Sequence, residues 1–231
     1  MPLFFTKAKE AIFDIAFPPI CVNCQKPLVL EEKIDNICAA CFSSIPISSA
    51  LTCPLCGSRF AENKKICHKN TPYTLAAASS YDNATVKRLI WSLKYEKKTA
   101  ASVPLSKILL RHVKLINLKI ARQLIIPLPL HNARMRERGF NQAELIAKNI
   151  GVALGLKISA VALKRIKNTL PQAELKNFEE RKNNIENSFK VDYPNLISNQ
   201  EIIIIDDVFT SGTTVSEVVK TLKQGGAKRV T

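Results

Sequence analysis

Two adjacent carboxylates followed by a run of small hydroxyl-bearing residues are the part of this chain best equipped for chemistry. Residues 202–214 read Ile-Ile-Ile-Ile-Asp-Asp-Val-Phe-Thr-Ser-Gly-Thr-Thr. Asp206 and Asp207 accept hydrogen bonds from sugar hydroxyls and repel phosphate, whereas Thr210, Ser211, Gly212, Thr213 and Thr214 present hydroxyls and backbone N–H groups that attract it. A ribose 5-phosphate satisfies both halves. Neither the dinucleotide pattern G-x-G-x-x-G nor the P-loop pattern G-x-x-x-x-G-K-[ST] occurs here, which excludes those two nucleotide-binding devices.

A second set of polar groups follows Pro127-Leu128-Pro129-Leu130, where His131-Asn-Ala-Arg-Met-Arg-Glu-Arg-Gly-Phe-Asn-Gln142 crowds Arg134, Arg136 and Arg138 into a short loop. His131 lies in that loop as a candidate functional residue; His112 falls on a helical stretch over residues 105–116. Residues 163–189, with Lys164, Arg165 and Lys167 at one end and Arg181, Asn184 and Phe189 at the other, are polar, basic and long enough for a mobile lid.

At the other end of the chain, Cys21-x-x-Cys24, thirteen residues and Cys38-x-x-Cys41 form a four-thiolate zinc-ribbon pattern, each x-x turn letting two sulfurs converge on one tetrahedral ion. A second set, Cys53-Pro-Leu-Cys56 and then Cys67-His68, leaves two readings open. Either His68 supplies the ligand that a closing C-x-x-C would have given, position 70 being Asn70, or Cys53, Cys56 and Cys67 are reduced thiols packed in a small subdomain.

The elements that must position these groups are legible in periodicity. Ile202 to Ile205 are four β-branched residues suited to a parallel strand buried on both faces, and residues 124–128 read as another strand, ended by prolines. Val215, Val218, Val219 and Leu222 fall on one helical face that stops at Gly225-Gly226; Asn141 caps a helix whose apolar side is Ala143, Ile146, Ala147, Ile150 and Leu154. In open α/β sheets, ligands bind beyond the carboxyl ends of the strands, which is where Asp206 and Asp207 fall.

The 202–214 segment resembles the 5-phosphoribosyl-1-pyrophosphate (PRPP) motif of type I phosphoribosyltransferases. With Pro127-Leu-Pro129, Arg138-Gly-Phe-Asn-Gln142, residues 165–172, and Arg181 with Asn184, the order of motifs over residues 73–231 resembles the phosphoribosyltransferase-like domain of the ComF family of competence proteins. The resemblance implies an α/β fold: a type I phosphoribosyltransferase-like parallel sheet flanked by helices, preceded by a zinc ribbon. It implies PRPP with magnesium as ligand, Asp206 and Asp207 on the ribose hydroxyls and residues 210–214 on the 5-phosphate. Arg134 or Arg138 would neutralise pyrophosphate, with Lys164, Arg165 or Lys167 closing over it; the catalytic set would be Asp206, Asp207 and Arg165. It also implies a cytoplasmic protein of natural transformation that handles incoming single-stranded DNA and docks a ComFA-like helicase through its zinc module. The alternative is an active phosphoribosyltransferase with an unidentified acceptor. Relatives of this family run a little past the strand in which Thr231 falls.

Composition agrees with this organisation: 231 residues divide into an amphipathic helix over residues 1–17, a zinc ribbon over 18–70 and an α/β domain over 71–231. Lys7, Lys9, Glu10 and Asp14 interrupt the N-terminal apolar stretch as a secretory signal would not, and no apolar run approaches a membrane span. Reduced, metal-spaced cysteines point to the cytoplasm. The net charge of +15 is uneven, because residues 1–70 hold 8 basic and 6 acidic side chains, whereas residues 87–122 hold 10 basic side chains against Glu96 alone. Lys87, Arg88, Lys94, Lys97 and Lys98, projecting away from the apolar face of Val86, Leu89, Ile90 and Leu93, form a candidate single-stranded nucleic-acid surface. Trp91 is expected in the core.

Overall fold

The computed structural model describes residues 18–60, 68, 71–170 and 174–231. The helix expected over residues 1–17, and Cys67 and Gln172, lie outside the described residues. The class is α/β. Three parallel strands, β1 (Leu124–Pro127), β4 (Glu201–Ile205) and β5 (Arg229–Val230), lie in the order β1-β4-β5, with Leu124 opposite Ile202 and Ile202 opposite Val230. Residues 157–159 add a bridge on the outer side of β1, where Ile125 N–H donates to Lys157 and Ser159 N–H to Ile125.

The isoleucine run of β4 is explained by burial on two faces. Ile125 and Ile205, with Ile203 beside them, pack among α2 (Ala84–Tyr95), α3 (Ser102–Leu115) and α5 (Gln142–Leu154). Ile126 and Ile202, with Ile204, face the opposite core with Val218, Val219 and Leu222 of α8 (Thr213–Gln224). Alternate residues of one strand thus serve two cores, so every position is apolar. Asn83 and Asn141 cap α2 and α5, accepting from Val86 and Ala143 N–H at 3.1 Å each.

The ribbon, with the short helix α1 (Ala39–Ser43), is seated on the first core: Cys21, Val22, Leu28, Ile37 and Ile45 share it with α2 and α3. Basic side chains of the 87–122 stretch hold it there. Lys107 pairs with Asp35 at 2.6 Å, the Arg111 guanidinium lies 4.6 Å from the Phe42 ring centre, and Arg88 Nε donates to the Val22 carbonyl at 3.1 Å.

Two expectations need correction. Trp91 is 45% exposed and outside both cores; the apolar face of α2 at Val86, Leu89, Ile90 and Leu93 leaves position 91 on the far side of the helix. Lys94 does not project outward either but ion-pairs with Asp207, because it stands at the border of that apolar face, within reach of the end of β4. The 163–189 segment is built of antiparallel strands β2 (Leu163–Arg165) and β3 (Phe189–Val191) and a helix, α6 (Phe178–Ile185), and the one-turn helix α7 (Pro194–Ile197) follows it. Leu170 N–H donates to Asn184 Oδ1 and Asn184 Nδ2 to the Leu170 carbonyl, which ties the connecting loop to α6.

Candidate functional site

Asp206 and Asp207 stand at the carboxyl end of the central strand and have different surroundings. The Asp207 carboxylate, with a side chain only 3% exposed, is ion-paired to Lys94 and accepts from Gln142 Nε2 at 3.0 Å. Gln142 in turn accepts from Arg138, the last residue of α4 (Asn132–Arg138), so Arg138 reaches the acidic pair through an amide. Asp206 accepts the backbone N–H of Asp207 at 2.8 Å. Burial pushes its carboxyl well above the usual range, the Asp207 charge pushes it further, and Lys94 opposes both.

Beyond the pair, Val208 and Phe209 lead into Gly212, the cap of α8, whose φ of +73° belongs to the left-handed region. A Cβ there would stand 2.8 Å from the Phe209 ring and 3.1 Å from the Tyr73 hydroxyl, so both backbone and space call for glycine. No side chain caps α8; Ser216 N–H makes the first helical bond to Gly212, and the N–H groups of the first turn are left for a ligand anion. Ser211 and Thr213 hydroxyls lie 3.1 Å apart beside them, with Thr214 following and Thr210 exposed at the rim.

Two guanidiniums face this end of the sheet. Arg165, on β2, is 8% exposed, donates to the Thr169 hydroxyl and lies over the Phe189 ring with 5.6 Å to its centre, while its Nε has no hydrogen-bond partner. Arg134 donates to the Thr169 carbonyl at 2.9 Å. Burial lowers the Arg165 pKa to about 10, Arg134 adds repulsion and Asp206 alone opposes. Two neighbouring cations, one of them buried, thus lie beside the Asp206 carboxyl. His131 caps α4, accepting from Ala133 N–H at 3.2 Å.

The cysteines of the metal pattern converge. The sulfurs of Cys21, Cys24, Cys38 and Cys41 lie within 4.8 Å of one another, and Cys24 Sγ and Cys38 Sγ are 3.7 Å apart, against about 3.8 Å for a tetrahedral zinc with bonds of about 2.3 Å. Cys38 N–H donates to Cys21 Sγ and Cys41 N–H to Cys38 Sγ, both at 3.4 Å, as thiolate ligands require. Burial would raise the Cys21 thiol, yet the N–H groups of Cys24, Cys38 and Asn23 bring it to about 7, while burial and sulfur crowding push Cys41 up to about 12. A divalent cation relieves that crowding by holding all four as thiolates. Cys53, Cys56 and His68 converge in the same way, with Cys53 Sγ 3.4 Å from His68 Nδ1.

Of the nucleic-acid candidates, Lys97 and Lys98 are exposed, and Lys98 pairs with Glu96 at 2.9 Å. Lys87 lies over the Tyr81 ring at 5.4 Å and Arg88 over Trp91 at 4.9 Å. Three residues at this site carry no sequence signal for their place there: Lys94, a candidate for the nucleic-acid surface, meets Asp207 instead, Gln142 is legible only as part of a motif, and Tyr73 only as an aromatic.

The molecule is a zinc-ribbon protein whose α/β domain carries an acidic pair and a small-residue loop at a strand end. The double zinc ribbon domain family matches residues 12–70. Over 94% of its length the chain is similar to the DNA utilization protein YhgH of Salmonella typhimurium (28% identical, 96% of that protein covered) and of Escherichia coli K12 (28%, 96%). It is 26% identical to Competence protein F of Haemophilus influenzae, over 91% of this chain and 93% of that one. The resemblance to the ComF competence proteins is borne out, and the ribbon match together with the convergent cysteine clusters suggests structural zinc. No helix among the described residues is long and apolar enough to cross a membrane.

Proposed function

We propose that this protein handles single-stranded DNA in natural transformation, in the cytoplasm, and retains a ribose-phosphate pocket of the PRPP type. The names of its relatives support the DNA role. The observation that carries it is an exposed aromatic pair on a basic helix: Trp91 and Tyr95, 45% and 65% exposed, have ring centres 5.9 Å apart, with Arg88 stacked on the indole and Lys97 and Lys98 just beyond. Unpaired bases stack on such rings while lysines follow the phosphates. In the pocket, the acidic pair takes the ribose, the start of α8 the 5-phosphate, and Arg134 with Arg165 the pyrophosphate, with magnesium as counter-ion. A ComFA-like helicase is the partner proposed for the ribbon.

Fluorescence anisotropy with labelled oligonucleotides at two salt concentrations tests the surface. Lys97→Glu with Lys98→Glu should weaken binding about equally for unrelated sequences and flatten the salt dependence, and Trp91→Ala should weaken it about tenfold. Unchanged affinity and slope in both variants would refute the assignment. A second reading, an active phosphoribosyltransferase, is favoured by one feature: a largely apolar cavity of about 460 Å³ adjoins Asp206 and Phe209, room for an acceptor ring.

A further inference from the structure

Tyr73 stands between the second metal cluster and the phosphate loop. It is 6% exposed and belongs to the core formed by Ile126, Val218 and Val219, not to the ribbon's. Its hydroxyl lies 3.1 Å from where a Cβ on Gly212 would stand, with the Ser216 side chain near enough to offset part of the rise that burial causes in its pKa, and Ser216 N–H donates to the Gly212 carbonyl at 2.8 Å. The tyrosine hydroxyl therefore stands beside the two residues joined by the first bond of α8, at the turn whose N–H groups face the proposed phosphate.

Both metal-bearing segments are tied to Tyr73 through backbone. On one side, the knuckle that holds Cys53 is closed by Cys53 N–H to Ser58 at 2.8 Å and Gly57 N–H to Cys53 at 2.9 Å. Thr52, one residue before it, bridges both Arg59 and Leu75 and donates its N–H to the Leu75 carbonyl at 2.9 Å. On the other side, the carbonyl of His68 accepts from Thr71 N–H at 3.2 Å and from the Thr71 hydroxyl at 2.8 Å. Tyr73 lies between Thr71 and Leu75, so a metal that draws Cys53, Cys56 and His68 together fixes the strap at both ends.

We propose that Tyr73 is a positioning residue through which the Cys53/Cys56/His68 metal cluster sets the phosphate loop, so that metal occupancy there governs sugar-phosphate affinity. The inference rests on the ribose-phosphate reading above. With the ion bound, the strap is held and the hydroxyl keeps Gly212 and Ser216 in the geometry that presents the first-turn N–H groups. With the ion lost, the strap is free to shift and α8 frays at its start.

The test uses the full zinc-loaded chain in four forms: wild type, Tyr73→Phe, Cys56→Ser and the double variant. Each is measured by calorimetry with ribose 5-phosphate, by zinc content and by hydrogen exchange over residues 212–216. Tyr73→Phe keeps the ring and removes one hydroxyl, so affinity should fall about 2- to 10-fold with zinc content unchanged. Cys56→Ser should lose one equivalent of zinc, weaken ribose 5-phosphate by a similar factor and speed exchange over 212–216. The double variant should be no worse than the more affected single one, because both act through one contact. Additive losses, or an exchange rate over 212–216 indifferent to both changes, would overturn the proposal. If wild type binds no ribose 5-phosphate, the pocket reading fails, and the exchange data still decide whether Tyr73 couples the cluster to the loop.

Discussion

The two aspartates of the site are chemically identical and do different work. Asp207, besides its proposed share in holding the ribose, is a counter-ion within the fold: removing its carboxylate leaves Lys94 and Gln142 without their partner at the end of β4. Asp207→Ala should destabilise the fold by about 2–3 kcal/mol, below the cost of breaking a fully buried pair because Lys94 keeps some solvent. Asp206 runs the other way. Its folded-state pKa is raised, first by burial and then by Asp207, so its contribution to stability is complete below the unfolded value of about 4 and is lost as pH rises through the folded value. Asp206→Asn should therefore be more stable than wild type at pH 8, with the gap closing toward pH 4, while losing affinity for ribose 5-phosphate. Urea unfolding midpoints across that range, with calorimetry at neutral pH, check both halves. A gap that does not change with pH would mean that the Asp206 charge is not what costs stability.

At the scale of elements, α3 carries the joint between ribbon and sheet domain. His112 is fully buried, and its Nδ1 lies 2.6 Å from the Ser48 carbonyl, in the segment after the first cysteine cluster. The other ring nitrogen is buried without a partner, so protonation would bury an N–H with no acceptor. Burial lowers the His112 pKa, and the Ser48 bond only partly offsets it. The unfolded state then binds the proton first, so stability is full above about pH 6.5 and falls below it by up to about 1.4 kcal/mol per pH unit until the folded pKa is passed. His112→Asn should flatten that acid limb in urea melts; parallel limbs for the two proteins would place the sensitivity elsewhere. The same scale explains Trp91 and Lys94. At about 100° per residue, Arg88, Trp91 and Tyr95 fall roughly opposite the centre of the apolar face of α2, and Lys94 falls at its border. Helical periodicity alone held the exposure of Trp91, and the general tendency of tryptophan toward burial obscured it.

For the molecule as a whole, metal and charge serve the same assembly. The ribbon's apolar residues complete the core around α2 and α3, and Lys107, Arg111 and Arg88 fasten it. Zinc removal should thus reach beyond the ribbon. Chelation of the purified protein is expected to lower the melting temperature of the entire chain and expose the α2/α3 face to a hydrophobic dye, while elemental analysis of the untreated protein finds at least one zinc per chain. A chelated sample with the original melting temperature would show that the sheet domain stands without its ribbon. The basic stretch is accordingly less available than its charge count indicates: several of its cations are engaged by Asp35, Asp207, Glu96 and the Phe42 ring.

What the chain declares by itself is local. The β4 isoleucines, the acidic pair, the Asn83 and Asn141 caps, the glycine at the start of α8 and the spacing of Cys21, Cys24, Cys38 and Cys41 all follow from strand and helix periods, backbone freedom and ligand reach within a few residues. Those constraints are written where they act. The tertiary structure alone decided which groups meet: Lys94 with Asp207, Tyr73 with Gly212 and Ser216, Arg134 and Arg165 on Thr169, His112 with Ser48. Most of these pairs join residues far apart in the chain, and their free energy comes from desolvation and close approach, which depend on how whole elements pack and leave no period in the sequence.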